Sequence, residues 1–435
     1  MSEELMNGRK LPEGWKIVHL SDELLFAFEN GIWTGQKEPL IQCAVIRNTN
    51  FSDDGTLDMS DVALIDIEQW QLARKRLNWG DVIIERSGGG PKQPVGRVAF
   101  FNLKEGDYCF SNFTSRLRVV NRNEIDPEYL HRFLYYFHIS GRTESLQRRT
   151  TGIRNLDFGE YRNLSIFLPP LPEQHAIAHT LRTVQAAREA RRRETALERE
   201  RKGALMQRLF TQGTRGEPTK TTEIGEVPVS WEPCELRSVA QIAYGLTVNE
   251  SRRKSSQLAP YLTVANVTRG ALRLDEVKQI GMLPGDAEAY KLTSGDVLFV
   301  EGNGNPKLLG SAAVWNDELP FAMHQNHLIR ARPHKEKVLP EWIMCYVNSD
   351  DGRAQLLGKT KTSSGLHTIN SRIVGNLQIP LPPLSEQHTI AATLRACDDK
   401  IAALEREAAT HDELFKALLE ELMTGRRRAT ELIEQ

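Results

Sequence analysis

The chain has 435 residues, too many for one ordinary hydrophobic core, so roughly two to four domains are expected. With 40% hydrophobic and 26% charged residues it reads as a globular protein, and no apolar run approaches the roughly 18 residues that span a bilayer. A formal charge of −1 and a pI near 6.9 exclude a protein that coats nucleic acid by bulk charge, but not a binder with its basic residues on one face.

The N-terminal MSEELMNGRK has no apolar signal region. Five scattered cysteines, Cys43, Cys109, Cys234, Cys345 and Cys397, form no CxxC pair, which fits free thiols in a reducing, cytoplasmic setting. The first elements are short strands and loops beginning at LPEGWKIVHL, with Trp15. GDVIIE (Gly80–Glu85) clusters β-branched residues after a turn and predicts a strand, followed by the glycine-rich loop RSGGGPK. A short helix is predicted over Asp126–His138. After QRRTTGIR comes LPPLPEQHAIAHTL (Leu168–Leu181), where Pro169, Pro170 and Pro172 bar helix upstream and Glu173 suits a first helical turn. The helix it opens can run to about Thr211, roughly 39 residues or on the order of 58 Å.

The second half repeats this order. LPPLSEQHTIAATL (Leu381–Leu394) matches the earlier entrance at eleven of fourteen letters, at an offset of 381 − 168 = 213. VPVSWEPCEL sets Trp231 against Trp15, GDVLFVEGNGNPK answers GDVIIERSGGGPK, and a helix over Pro340–Asn348 answers Asp126–His138. The repeat is collinear, which makes the chain two copies of one plan. The second long helix carries rows seven apart, interleaved three-four: Ile390, Cys397, Leu404, His411 and Leu418 with Leu394, Ile401, Ala408, Phe415 and Leu422. The first carries Ile177, Val184 and Leu205 with Leu181 and Leu209. Its middle places Arg188, Arg191, Glu198 and Lys202 at seam positions, where a displaced row, Ala190, Leu197 and Ala204, is expected to take over as a stutter. The expected architecture is α+β. Two globular domains (1–167 and 213–380) are each followed by a long helix (168–212 and 381–425), with a short tail (426–435). The helices pair as an antiparallel coiled coil with pseudo-two-fold internal symmetry.

Catalytic motifs are missing. There is no (N/D)PP(Y/F), and GKT at Gly358–Thr360 lacks the glycine spacing of a phosphate loop. His175 and His179 lack the glutamate that zinc-protease chemistry needs after the first histidine. What recurs is basic residues on polar loops. The first copy has Arg86, Lys92 and Arg97, then Arg148, Arg149 and Arg154. The second has Arg252, Arg253, Lys254, Lys307, Lys359, Lys361 and His367. Such side chains reach phosphates and guanine edges, and the two copies differ most in these loops.

The doubled LPPL[PS]EQH entrance, with a long helix behind and a globular domain before it, resembles the specificity subunit of a Type I restriction-modification system over the whole chain. The resemblance implies two target recognition domains, each reading half of a bipartite double-stranded DNA target, with the coiled coil setting the gap. It also implies two modification subunits carrying S-adenosylmethionine and adenine-N6 methylation, and restriction subunits using ATP and Mg. This chain would hold no cofactor itself and would be no enzyme. The competing readings are a stand-alone methyltransferase or nuclease with an unfamiliar active site, and a coiled-coil structural adaptor.

Overall fold

A computed structural model describes residues 5–6, 9–90, 93–150, 153–302, 308–358, 361–363 and 366–429. The chain divides into two compact units, residues 1–191 with 406–435, and residues 192–405.

In unit 1 the elements before the first long helix are β1 (Leu5–Met6), β2 (Arg9–Lys10), β3 (Lys16–His19), β4 (Phe26–Asn30), β5 (Leu40–Ile46), β6 (Ala63–Glu68), α1 (Gln69–Lys75) and β7 (Val82–Glu85). There follow β8 (Ser87–Gly89), β9 (Val98–Phe100), β10 (Tyr108–Phe110), β11 (Thr114–Val119), α2 (Pro127–Ile139), β12 (Gln147–Thr150), β13 (Ile153–Leu156), α3 (Phe158–Arg162) and β14 (Ser165–Leu168). The long helix α4 (Leu171–Gln212) starts in this unit. A four-stranded sheet has the order β4-β11-β7-β9, a three-stranded sheet β10-β5-β6, and β14 pairs with β3. β10 runs parallel to β5.

Unit 2 repeats the plan. It opens with a hairpin, β15 (Thr219–Thr222) and β16 (Gly225–Pro228), then β17 (Glu232–Glu235), β18 (Ala240–Tyr244), α5 (Glu250–Lys254), β19 (Leu258–Leu262), β20 (Lys278–Gly281) and α6 (Asp286–Tyr290). Next come β21 (Asp296–Val300), β22 (Ala312–Trp315), β23 (Met323–His324), β24 (Leu328–Pro333), α7 (Pro340–Asn348) and α8 (Asp350–Gly358). The last elements are β25 (Lys361–Ser363), β26 (Leu366–Thr368), α9 (Ser371–Gly375), β27 (Gln378–Leu381) and α10 (Leu384–Met423). The sheet orders β18-β24-β21-β22, β20-β19-β23 and β17-β27 reproduce those of unit 1 strand for strand, including the parallel pair β19·β23.

The recurring GDV is explained by one buried ion pair in each unit. Asp81 and Asp296 are wholly buried at the head of the central strands. Asp81 accepts both Nε and Nη2 of Arg118 at 2.7 Å, and Asp296 accepts the same atoms of Arg332 at 2.7 and 2.8 Å. Each carboxylate also caps the preceding turn, through Asn78 N and Thr293 N. Paired and capped in this way, a carboxylate can sit at zero exposure.

The repeated EQ of the helix entrances has an equally local cause. Glu173 accepts the indole N–H of Trp15 at 3.1 Å, and Glu386 accepts that of Trp231 at 3.0 Å. Beside them, the wholly buried Gln174 donates to the carbonyls of Glu124 and Pro169, both at 2.8 Å, and accepts Asp126 N at 2.9 Å. Gln387 does the same with Lys337 O (3.2 Å), Pro382 O (2.8 Å) and Leu339 N (2.8 Å). One glutamine therefore ties the proline turn to the loop that starts α2 or α7. The second oxygen of each glutamate reaches the segment that follows the other long helix. Glu173 forms a bidentate pair with Arg428 at 2.7 Å, and Glu386 accepts the N–H and O–H of Thr214 at 2.8 Å. Both following segments turn at a glycine in left-handed backbone, Gly213 and Gly425, each at φ 63°.

The long helices run antiparallel within each unit. In unit 1 the start of α4 (Ile177, Leu181) shares one core with the end of α10 (Phe415, Leu418, Leu422), the strands and α2. In unit 2 the end of α4 (Phe210) and the start of α10 (Ile390, Leu394) share a core with Trp231 and Trp342. Leu404 is buried as well. Val184, Leu205, Leu209 and Ile401 are partly buried. The helix ends are thus parts of globular cores, worth ~1.5–3 kcal/mol for each large apolar side chain fully removed from water.

The expected stutter does not occur. Leu197 is 65% exposed and Ala190 and Ala204 are exposed, while Arg188, Thr195 and Glu198 are buried at the original heptad positions. Charges from elsewhere make that register tenable. Arg188 pairs with Asp54 at 3.0 Å and Asp412 at 3.3 Å and lies 5.1 Å from the Phe415 ring centre. Glu198 pairs with Lys400 and Arg201, each at 2.9 Å.

Two outcomes are expected. Gln174→Ala and Gln387→Ala strand buried carbonyls and an N–H, so thermal denaturation should show losses of about 1–3 kcal/mol each; unchanged melting would remove the amide from this role. Burial opposes charge on Glu386, yet the Thr214 N–H and O–H and the Trp231 indole outweigh it and hold the carboxyl below its ordinary value. A depressed carboxyl stabilises above its ordinary range and ceases to do so as pH falls through the lowered value. The melting temperature of Glu386→Gln should therefore lie below the parent's at neutral pH and converge with it in acid. A constant difference across that range would contradict this.

Candidate nucleic-acid interface

At the end of the central strand, each unit builds a surface from segments far apart in sequence. In unit 1, β7 runs out through Arg86 into β8, and the hairpin β12–β13 pairs along β8 with Arg154 opposite Gly89 and Asn155 opposite Ser87. Ser87 Oγ donates to Asn155 Oδ1 at 2.5 Å. Two backbone bonds fix the junction: Arg86 N to Phe113 O at 2.9 Å and Leu156 N to Arg86 O at 2.7 Å. In unit 2 the hairpin β25–β26 bridges Gly302 through Thr368, and the junction bonds recur as Glu301 N to His327 O (3.0 Å) and Ile369 N to Glu301 O (2.9 Å). In each copy the strand that leads into the glycine loop and the hairpin of the later basic segment, separate in sequence, therefore meet at one junction.

The predicted contact residues divide sharply. Arg148 is exposed on β12, 71% by side chain, and pairs with Asp157 at 2.5 Å. Arg154 is half-buried on β13, its Nη1 3.4 Å from Gln147 Oε1. Arg86 is half-buried, donates to Asn30 Oδ1 at 2.6 Å and lies 4.6 Å over the Phe158 ring; burial pushes its pKa down. Lys92, Lys307 and Lys359 lie outside the described residues, and for Arg149, Lys361 and His367 only the backbone is described.

Two predicted contacts are corrected. Arg97 grips the buried Glu85 through Nε and Nη2, each at 2.9 Å, and donates to Phe51 O and Asn48 O. The Glu85 hydrogen bonds raise its pKa. Arg252 is 5% exposed, pairs bidentately with the buried Asp286 and donates to Thr247 O and Gly281 O. Both guanidinium groups are consumed inside the protein, because the fold brings each a buried carboxylate. Arg253 and Lys254 are exposed on α5, which packs on β20, and Lys254 pairs with Glu250 at 2.6 Å.

Sequence reasoning missed the residues that line these junctions. Asn30, Phe113 and Phe158 surround Arg86, and Phe113 is 46% exposed. At the equivalent place in unit 2, Glu301 Oε2 accepts from His327 Nδ1 at 2.7 Å, with the His327 side chain 53% exposed. The repeat offset was the available signal, since 86 + 215 = 301 and 113 + 214 = 327.

Among the described residues no group of His, Cys, Asp or Glu is arranged to hold a metal ion, and no helix is long and apolar enough to cross a membrane. His175 lies 3.5 Å from Asp126, and the exposed His179 neighbours Arg182.

Comparison with known proteins agrees with the doubled plan. The chain is 25% identical over 427 residues to the putative type I restriction enzyme MjaX specificity subunit of Methanocaldococcus jannaschii, covering 96% of this chain and 94% of that one. It is 26% identical over 414 residues to the EcoKI specificity subunit of Escherichia coli K12, covering 88% and 82%. The solved S subunit of a type I system from M. genitalium superposes with a TM-score of 0.57 at 14% identity, covering 97% and 99% of the two chains. A chain from a structure of type I R-M assembly and conformational transition gives 0.54 at 21%, covering 95% and 98%. These two likenesses concern the fold. The type I restriction modification DNA specificity domain matches residues 12–199 and again 228–410, so the chain belongs to that family and is a specificity subunit for DNA target recognition.

Proposed function

We propose that units 1 and 2 each read one half of a bipartite duplex target, with the paired helices α4 and α10 setting the gap between the halves. The observation that carries this reading is the same junction built twice with opposite chemistry. Arg86, stacked on Phe158, stands where unit 2 has Glu301 paired with His327. An arginine fork suits guanine O6 and N7, whereas a carboxylate accepts from the amino group of cytosine or adenine. The hairpins β12–β13 and β25–β26 supply the neighbouring contacts, with Arg148 and Arg154 in unit 1 and Lys361 and His367 in unit 2. The methylation chemistry and S-adenosylmethionine belong to two modification subunits, and ATP, Mg and cleavage to restriction subunits. Joining the two readers in a single chain makes the second half-site contact intramolecular, so two modest readers become one discriminating one.

The direct test is the methylated motif of the assembled complex. Replacing residues 1–165 by the corresponding segment of a relative should rewrite one half of the motif and leave the other half and the gap intact. A motif unchanged in both halves would end the proposal. Arg148→Ala and Arg154→Ala should each weaken duplex binding by about 1–3 kcal/mol if the side chain contacts a base. Arg97→Ala and Arg252→Ala should instead lower the melting temperature of their own unit. Titrations and melts on the same preparations distinguish the two classes.

A further inference from the structure

The charges along the helix pair are not symmetric, although the fold around them is. Along its middle α4 presents Arg188, Arg191, Arg199 and Lys202, and α10 answers with Asp412, Glu407, Glu405 and Asp398. Arg188 pairs with Asp412 at 3.3 Å, Arg191 with Glu407 at 2.9 Å and Lys202 with Asp398 at 2.5 Å, and Arg199 pairs with Glu405. In a pair of reversed sign, Glu198 of α4 meets Lys400 of α10 at 2.9 Å.

The internal repeat allows the alternatives to be drawn. Because α10 is α4 displaced by 213, an α4·α4 pair in this register would substitute position 412 − 213 = 199 for Asp412 and 405 − 213 = 192 for Glu405. Arg188 would then face Arg199, and Arg199 would face Arg192, each contact occurring twice. In an α10·α10 pair, 199 + 213 = 412 sets Asp412 against Glu405, and 202 + 213 = 415 sets Asp398 against Phe415. Two like-charge contacts thus oppose the α4·α4 pair, one of them at the buried Arg188, against one favourable contact where 407 − 213 = 194 sets Arg191 against Glu194. Asp412 against Glu405 opposes the α10·α10 pair, while the native pair is complementary at every one of these positions.

We infer that the helix pair is a heterotypic recognition device: the half of the chain carrying α4 accepts the half carrying α10 and rejects a second copy of itself. Two identical halves would present two identical readers and demand a palindromic target. On the reading proposed above, the charge order confines this chain to two dissimilar readers and an asymmetric one. The device itself is independent of DNA and can fail or stand without that reading.

The test starts from the full-length protein with a protease site inserted between Glu223 and Ile224, in the turn of the β15–β16 hairpin, and cut after folding. Native mass spectrometry, after mixing with an isotopically labelled cut sample, should show heterotypic pairs of 1–223 with 224–435 exceeding either homotypic dimer by more than about tenfold. Homotypic dimers reaching a tenth of the heterotypic population would overturn the inference. Arg199 has a 62% exposed side chain, so Arg199→Glu does not disturb a core. It sets glutamate against Glu405 in the native pair but against Arg188 and Arg192 in the α4·α4 pair. The homotypic share of 1–223 should therefore rise by about fivefold, and adding Glu405→Arg should return it toward the parent level. An unchanged share in both variants would equally overturn it.

Discussion

The buried glutamate and glutamine at each helix entrance are the constraint on which the rest depends. The glutamine fixes where a long helix leaves its domain, because its amide closes the proline turn onto the loop before α2 or α7. The glutamate fixes what lies beside that departure, because it bonds the tryptophan of the first strand and the segment after the other long helix. A polar side chain buried this deeply is tolerated only when every bond is made, which leaves little freedom in the angle and register of the helix. The same device at both entrances leads each unit to combine one end of each helix with its own strands.

Between these ends the seam is polar where a coiled coil is usually apolar. Arg188 and Glu198 are buried without loss of register because Asp54, Asp412 and Lys400 lie within ion-pair distance. Removing one member of such a buried group is far more harmful than replacing the whole group by apolar residues. Polar contacts of this sort favour one alignment over its neighbours more than they add stability. Register is what a spacer between two readers needs.

Much of this was legible in the letters. The repeat, the helix entrances, the heptad rows of α10 and the helix at Pro340–Asn348 follow from pattern alone, since they are encoded by neighbours in sequence. The polar seam of α4 was not legible, because the charges that satisfy it come from a distant loop and from the other helix. For the same reason Arg97 and Arg252 looked like surface contacts: nothing local announces that Glu85 and Asp286 are waiting beneath them. Glu301 and His327 carry no basic-loop pattern in sequence, and only the strand-to-hairpin junction singles them out.

The central claim is that the helix pair measures the distance between two separate readings. Seven residues inserted in register after Glu194 of α4 and after Leu404 of α10 lengthen both helices by one heptad, about 10 Å, or roughly three base pairs of duplex. The methylated motif of the resulting complex should keep the letters of both halves and gain about that many unread base pairs between them. Altered half-site letters with the original gap would contradict the account.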